Sequence, residues 1–296
     1  MWALILHGGA TDIKPDEEVA YRRGCRNAMN IGAKFLREGR SAVDAVVEVV
    51  KSLEDNPIFN AGYGSAQRED GNIEMCAAVM DGSNLDVGAV SVIRGVKNPV
   101  TVAHRMLRDE AILLSGYGAY KYAEREGLEV CSTEDLIATE QIKKEGKSHD
   151  TVGCIALDQA GNFAAATSTG GLEGAPVGRV GDSPQPGCGF YAENGRGAVA
   201  ISGDGEYIAR MMLAGRTMYH LEKTDPQKAV EESLEELKKV GGEAGLIAFG
   251  HDGSIGWAHN SSHFSVAFAG SEISPRIYLS KAEETGSQDK ILKGAA

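Results

Sequence analysis

The stretch HDTVGCIALDQAGNFAAATSTGG, residues 149–171, decides the fold, because it predicts a β-hairpin with hydroxyl groups at its open end. Two apolar runs flank the segment AGN at 160–162, which is typical of a tight turn. An antiparallel hairpin returns the end of its second strand to the start of its first. Thr169 is therefore predicted to lie beside Thr151.

Thr151 begins the first of these strands directly after a polar segment, which makes it a candidate nucleophile. A threonine hydroxyl needs a base beside it, and the α-amino group of an N-terminal threonine can be that base. Such an amino group has a pKa of about 8, so part of it is neutral near pH 7. This chemistry requires a cut between Asp150 and Thr151. A structural threonine at the start of a strand is the alternative interpretation.

Two glycine-containing segments further along carry groups that suit an amino-acid substrate. Arg179 and Asp182 lie three residues apart in GRVGDSP, residues 178–184, and could bind an α-carboxylate and an α-ammonium group. A local ion pair on the surface is the alternative. The segment SGDGE, residues 202–206, joins a strand to a helix, where backbone amides and the Ser202 hydroxyl could stabilise an oxyanion. An ordinary glycine turn is the alternative there.

Outward from these segments, each half of the chain predicts paired antiparallel strands and two sizeable helices. This arrangement favours an α+β fold, with sheets covered by helices on their outer faces, over a doubly wound nucleotide-binding fold. HGGA at 7–10 predicts a turn, and the periodicity of residues 206–222 predicts one helix. Residues 124–147 are rich in charge and poor in apolar side chains, which favours a mobile linker at about 140–150.

Composition and charge exclude several classes of function. The 296 residues carry a net charge of −12, which argues against nucleic acid as a partner. No apolar run approaches the roughly 18–20 residues of a membrane span, so no membrane partner is expected. The short apolar stretch at 2–6 lacks the basic flank of a signal peptide. The five cysteines form no CxxC pair, which favours free thiols and a cytoplasmic location.

Taken together, the motifs resemble the plant-type asparaginase, isoaspartyl peptidase and glycosylasparaginase family of N-terminal-nucleophile hydrolases. Three further segments carry the resemblance, namely HGGA at 7–10, NPIFNAGYGS at 56–65 and MDGSNLDVGAV at 80–90. The resemblance implies a four-layer αββα sandwich, made as a precursor. Self-cleavage between Asp150 and Thr151 would give an alpha subunit and a beta subunit that form one domain, residues 1–150 and 151–296.

The resemblance also implies a role for each site residue. Thr151 is the nucleophile in self-cleavage and in catalysis, and Thr169 hydrogen-bonds it. The oxyanion donors are Ser202, where the family usually has threonine, and Gly203. The other implied residues are Asn60 close to the nucleophile, Arg179 and Asp182 as the substrate clamp, and Gly205, whose carbonyl meets the substrate amine.

No catalytic cofactor is implied, but a structural sodium ion is. In the family, backbone carbonyls of a loop hold this ion, and oxygen ligands suit a hard cation. The residues of this chain that match the loop are Leu53, Glu54, Asn56, Phe59, Ala61 and Tyr63.

The implied activity is hydrolysis of the side-chain amide of asparagine and of β-aspartyl dipeptides through a β-aspartyl-enzyme, by a homodimer of cleaved protomers. A glycosylasparaginase is the alternative within the family, because His149-Asp150-Thr151 resembles that branch at the cleavage site. A non-catalytic amino-acid-binding protein that keeps the fold and the clamp is the alternative outside enzymes.

Overall fold

The computed structural model describes residues 1–138 and 150–284. Within these ranges the chain forms twelve strands, seven α-helices and one 3-10 turn at Glu134–Leu136. The strands are β1 (Ala3–Thr11), β2 (Met75–Asp81), β3 (Asp86–Ile93), β4 (Leu113–Ser115), β5 (Thr151–Leu157), β6 (Phe163–Thr169), β7 (Phe190–Glu193), β8 (Gly197–Gly203), β9 (Ala244–Gly250), β10 (Ile255–His259), β11 (His263–Gly270) and β12 (Arg276–Tyr278). The helices are α1 (Glu18–Arg37), α2 (Ala42–Glu54), α3 (Pro99–Met106), α4 (Gly116–Arg125), α5 (Gly205–Met211), α6 (Leu213–Leu221) and α7 (Pro226–Lys239).

Eight strands form one sheet in the order β12-β11-β1-β5-β6-β2-β3-β4. Its neighbouring strands are antiparallel except β3 and β4, which run parallel. The hairpin predicted from the sequence forms the β5–β6 pair inside this sheet, with Thr151 opposite Thr169. Since β1 pairs with β5 and β2 pairs with β6, strands from the first half of the chain enclose the hairpin.

The other four strands form a smaller antiparallel sheet in the order β10-β9-β8-β7. Strand β8 contacts β5 and β6 of the large sheet, so the two sheets pack face to face. The end of β8, at Ser202 and Gly203, pairs with the start of β9. The small sheet therefore brings the SGDGE segment towards the hairpin.

Buried apolar side chains pack on both faces of each sheet. Alternation along β1 sends Leu4 towards Val49 and the first helices, and Ile5 towards Phe249 of the small sheet. A third cluster, which includes Leu237, lies between the small sheet and helices α6 and α7. Each fully buried side chain of this size contributes about 1.5–3 kcal/mol to stability.

The predicted mixture of helices and largely antiparallel sheets is confirmed, but two local predictions are wrong. HGGA at 7–10 lies inside β1, because the register against β11 shifts between His7 and Ala10 and this irregularity accommodates the glycines within the strand. The helix predicted over 206–222 is two helices, because Met212 adopts a left-handed conformation with φ of 48°.

Of the linker predicted at about 140–150, residues 140–149 lie outside the described residues and Asp150 lies within them. Asp150 is described and its side chain is buried. Among the described residues, no helix combines the length and the apolarity needed to cross a membrane.

Candidate active site

The scissile peptide predicted from the sequence lies where β5 begins, between Asp150 and Thr151, and both residues are buried. The hydroxyl of Thr169 donates a hydrogen bond of 3.1 Å to the carbonyl oxygen of Asp150 and accepts one of 3.0 Å from the amide of Gly171. In this uncleaved chain Thr169 therefore contacts the carbonyl before Thr151 rather than the Thr151 hydroxyl.

The hydroxyl of Thr151 meets a residue that the sequence did not single out. Its Oγ1 lies 2.8 Å from Oγ of Ser183, within hydrogen-bond distance. Ser183 follows Asp182 in the GRVGDSP segment, so the loop that carries the predicted clamp also contacts the predicted nucleophile.

Ser202 binds the other side of the scissile peptide. Its Oγ accepts the amide hydrogen of Thr151 at 3.1 Å and that of Ala10 at 3.0 Å. The HGGA segment, the nucleophile and the end of β8 therefore meet at one hydroxyl. Gly203 follows in a conformation with φ of 153°, and a Cβ there would lie 2.2 Å from the carbonyl oxygen of Glu243. Only glycine fits this position without displacing backbone.

Arg179 pairs with Glu206 and not with Asp182, the partner that the alternative interpretation of a local ion pair required. Its Nε and Nη2 donate to the two carboxylate oxygens of Glu206, each at 2.8 Å, which is a bidentate pair. Asp182 is buried and is not a surface partner of Arg179. Burial raises the pKa of Asp182 to about 7, although Arg179 acts in the opposite direction.

Gly205 lies between the two clamp residues. A Cβ at this position would be 2.9 Å from Nη2 of Arg179 and 2.9 Å from Oδ1 of Asp182. The guanidinium, the carboxylate and the first residue of α5 therefore converge on one small space. Such a space, with one positive and one negative group, suits the head group of an amino acid.

A buried carboxylate on the far side of this loop was also missed from the sequence. Glu74 accepts the amide hydrogen of Gly178 at 2.7 Å and forms ion pairs with Arg94 at 2.6 Å and Arg68 at 3.3 Å. Arg68 also donates to the carbonyl oxygen of Arg179 at 3.1 Å. These contacts fix the backbone of Gly178 and Arg179, and so the position of the Arg179 side chain.

Asn60 ties the NPIFNAGYGS loop to the end of β6. Its Nδ2 donates to the carbonyl oxygen of Gly171 at 2.6 Å, and its own carbonyl oxygen accepts the amide of Gly170 at 2.8 Å. Its Oδ1 accepts the amide of Ala66 at 2.8 Å. Asn60 thus holds the residues that directly follow Thr169.

Two carbonyl groups of the loop predicted to bind sodium lie close to the glycines of that loop. The carbonyl oxygen of Glu54 accepts the amide of Tyr63 at 2.8 Å. Gly62 and Gly64 have positive φ, and a Cβ on them would lie 2.6 Å from the Glu54 oxygen and 2.9 Å from the Phe59 oxygen. Each carbonyl oxygen has a second lone pair, so this donor set fits a hard cation.

The side chain of Glu54 is fully buried. Its Oε1 accepts from the hydroxyl of Ser168 at 2.6 Å and from the amide of Val100 at 3.0 Å. Burial raises the pKa of this carboxyl to about 8. Among the described residues, no group of three or more histidine, cysteine, aspartate or glutamate side chains could hold a metal ion.

His7 lies beneath the site and was not assigned a role from the sequence. It is fully buried against Phe264, with ring centroids 5.2 Å apart, and a Cβ on Gly153 would lie 2.3 Å from its Nε2. Burial lowers the pKa of His7 to about 3, so the imidazole is neutral near pH 7.

Comparison with known proteins gives the family of this chain. A family model described as Asparaginase matches residues 1–146 and 137–278. An isoaspartyl peptidase/L-asparaginase of Mus musculus is 42% identical over 82% of this chain and 80% of its own length, and that of Xenopus laevis is 40% identical over 84% and 86%. A plant-type L-asparaginase of Pyrobaculum calidifontis is 40% identical over 88% of this chain and 94% of its own length. The chain belongs to the asparaginase family that this model describes.

Proposed function

We propose that this protein is a self-cleaving isoaspartyl peptidase and L-asparaginase that uses Thr151 as its nucleophile. The relatives from Xenopus laevis and Mus musculus are named isoaspartyl peptidase/L-asparaginase, and the one from Pyrobaculum calidifontis is named plant-type L-asparaginase, at 40–42% identity over most of the chain. The observation that carries the proposal is the set of groups around the Asp150–Thr151 peptide. The Thr169 hydroxyl donates to its carbonyl oxygen, and the Ser202 hydroxyl accepts its amide hydrogen. The hydroxyl that attacks it belongs to Thr151 itself and contacts Ser183.

Self-cleavage begins when Oγ1 of Thr151 attacks the carbonyl carbon of Asp150. The hydroxyl of Thr169, which already donates to that carbonyl oxygen, stabilises the developing negative charge. Ser202 holds the nitrogen that becomes the new amine. Water then hydrolyses the resulting ester, which leaves a carboxylate on Asp150 and a free α-amino group on Thr151.

The mature site repeats this chemistry on a substrate. The α-amino group of Thr151 removes the proton of its own hydroxyl, and Oγ1 attacks the side-chain carbonyl of asparagine or a β-aspartyl dipeptide. Ser202 and the amide of Gly203 hold the oxyanion, and loss of such a donor costs about 10²–10³ in rate. The amine leaves, and water hydrolyses the β-aspartyl ester.

The substrate head group binds in the space beside Gly205. Arg179 takes the α-carboxylate by exchanging its bond to the exposed carboxylate of Glu206, and Asp182 together with the Gly205 carbonyl takes the α-ammonium group. Asn60 keeps the end of β6 in place next to the nucleophile.

The proposal also covers the layer order, the sodium site, the location and the assembly. The large and the small sheet pack against each other, and helices cover the outer face of each. This layer order supports the αββα sandwich of N-terminal-nucleophile hydrolases. The carbonyl-rich loop from Leu53 to Tyr63 would hold a sodium ion, whose charge would stabilise that loop beside Asn60. The five free thiols support a reducing, cytoplasmic location. The homodimer rests on the family resemblance.

Glycosylasparaginase activity is the second candidate, because the residue before Thr151 is aspartate. One assay separates the candidates by measuring kcat/KM of the cleaved protein for asparagine, a β-aspartyl dipeptide and N-acetylglucosaminyl-asparagine. We expect the first two to be hydrolysed and the third to react at least about tenfold more slowly. Preference for the glycosylated substrate would contradict the proposal, and aspartate binding without turnover would indicate a binding protein.

A further inference from the structure

The contact between Thr151 and Ser183 assigns a residue that neither the motifs nor the family resemblance singled out. Oγ1 of Thr151 and Oγ of Ser183 are 2.8 Å apart, and the two residues are 5% and 2% exposed. A buried pair of hydroxyl groups at this distance is a directed contact rather than a surface coincidence. It involves the atom that must attack in both reactions of the proposed function.

The loop that carries Ser183 is fixed from several sides. The hydroxyl of Thr167 on β6 donates to the carbonyl oxygen of Ser183 at 2.7 Å. The backbone amide of Gln185 donates to the carbonyl oxygen of Asp182 at 2.9 Å. The side-chain amide of Gln185 donates to the carbonyl oxygen of Gly181 at 2.7 Å. Ser183 is therefore held on the sheet that carries Thr151, and it can fix the rotamer of the Thr151 side chain.

The uncleaved chain lacks the base of the mature enzyme. The nitrogen of Thr151 is an amide that donates to Ser202, so it cannot take a proton from the Thr151 hydroxyl. With Ser183 as acceptor, the Thr151 O–H points at the loop and a lone pair of Oγ1 is left for the carbonyl carbon of Asp150. The free α-amino group becomes available for this task only after cleavage.

We propose that Ser183 is a catalytic residue of self-cleavage, which orients Oγ1 of Thr151 until the α-amino group replaces it. This inference rests on the proposed function. In the step, a bond forms between Oγ1 of Thr151 and the carbonyl carbon of Asp150, and the peptide C–N bond breaks. The proton of the Thr151 hydroxyl passes to the Thr151 nitrogen once attack has formed the tetrahedral intermediate, in which that nitrogen is an amine rather than an amide, and the C–N bond then breaks. Water then splits the ester into the Asp150 carboxylate and the Thr151 hydroxyl.

The test compares Ser183→Ala and Ser183→Cys with wild type, since cysteine fills the space of serine but hydrogen-bonds weakly. Purified precursor is incubated, and the cleaved fraction is followed on a denaturing gel. Asparagine turnover is then expressed per cleaved chain. Because small errors in the position of a reacting group cost up to about 100-fold, we expect self-cleavage about 10- to 100-fold slower. The kcat per cleaved chain should fall by a smaller factor, because the α-amino group then serves as the base.

Ser233→Ala is the matched control, because the Ser233 hydroxyl in α7 also forms a buried hydrogen bond with another hydroxyl. It accepts from the hydroxyl of Thr217 in α6 at 2.9 Å. Ser233→Ala should lower stability comparably and leave self-cleavage unchanged. Thr167→Val, which releases the Ser183 backbone, should slow cleavage less than Ser183→Ala.

The inference is overturned if both Ser183 variants cleave at the wild-type rate, or if kcat per cleaved chain falls as much as the cleavage rate. A structural role for Ser183 would be indicated by two results together. The Ser183 variants would have melting temperatures well below that of Ser233→Ala, and Thr167→Val would cleave at the wild-type rate. That combination would also overturn the inference. Failure of wild type itself to cleave while hydrolysing asparagine contradicts the proposed function instead, so the two failures are distinguishable.

Discussion

At the scale of single residues, the Asp182 carboxyl links substrate binding to pH. Burial raises the pKa of Asp182 to about 7, and the proposed role needs the ionised form to bind the substrate ammonium. Between pH 6 and pH 8 the ionised fraction rises from about a tenth to about nine-tenths. We expect the inhibition constant of L-aspartate to fall about tenfold over this range.

Succinate is the matched ligand for that measurement, because it has both carboxylates and lacks the ammonium group. Its inhibition constant should show no such gain at higher pH. An aspartate inhibition constant that is flat from pH 6 to pH 8 would remove Asp182 from the ammonium site.

Gly205 leaves room for the clamp, and this can be tested by adding one methyl group. Gly205→Ala places a carbon 2.9 Å from both Arg179 Nη2 and Asp182 Oδ1, so both groups must shift. We expect KM for asparagine to rise at least about tenfold while self-cleavage and the melting temperature stay near wild type. Gly118→Ala in α4 is the control, since no atom lies within 4 Å of its Cβ. Equal KM in the two variants would place the substrate elsewhere.

Sequence reasoning at this scale found the residues of the motifs but not their partners. Thr151, Asp182 and Ser202 stand out because their types and spacing suit a reaction. Ser183 lies 32 residues from Thr151, and Glu74 lies 104 residues from the amide it binds, so only the folded sheet brings these pairs together. Periodicity and spacing contain no information on such long-range contacts.

At the scale of elements, the break between α5 and α6 tests how backbone strain affects stability. Met212 is 61% exposed and adopts φ of 48°, a conformation that costs a residue with a Cβ about 1–2 kcal/mol. We expect Met212→Gly to raise the free energy of unfolding by up to about 1 kcal/mol, because loss of the Cβ relieves this strain and the larger entropy that glycine loses on folding offsets only part of the gain. Urea denaturation measures this, with Met212→Ala as the control that keeps the Cβ. A gain with alanine equal to that with glycine would contradict the explanation.

The same break shows what element prediction could and could not achieve. Residues 206–222 are mostly residues that favour helices, with apolar side chains at helical spacing and a single glycine, Gly215. The sequence therefore predicts one helix. The chain turns at Met212 instead, where the next helix packs against β7 and β8 of the small sheet. Similarly, Gly8 and Gly9 predict a turn locally, whereas HGGA lies in β1 because His7 pairs with both β5 and β11 and pairing with β11 resumes at Ala10.

Strands with clear signals were predicted well. The β5–β6 hairpin has the turn that the AGN segment at 160–162 predicts. The short strands β4, β7 and β12 were missed, since three or four residues carry too little pattern to identify a strand.

At the scale of the whole molecule, the proposed cut divides the chain but not the large sheet. Across that sheet, β1 of the first fragment lies between β11 and β5 of the second, and β2 of the first pairs with β6 of the second. The fragments therefore share the sheet and both apolar cores that flank it. We expect them to elute as one species from a size-exclusion column in native buffer and to separate in denaturant. Separation in native buffer would contradict the shared sheet.

The central claim is that Thr151 becomes an N-terminal nucleophile by cutting its own chain. Its most direct test is intact-mass analysis of the purified protein before and after warm incubation, alongside asparagine turnover. The account predicts conversion into residues 1–150 and 151–296, with threonine at the new N-terminus and turnover that rises with the cleaved fraction. Thr151→Ala should remain one inactive chain. A wild-type protein that stays one chain and hydrolyses asparagine at full rate would contradict the account.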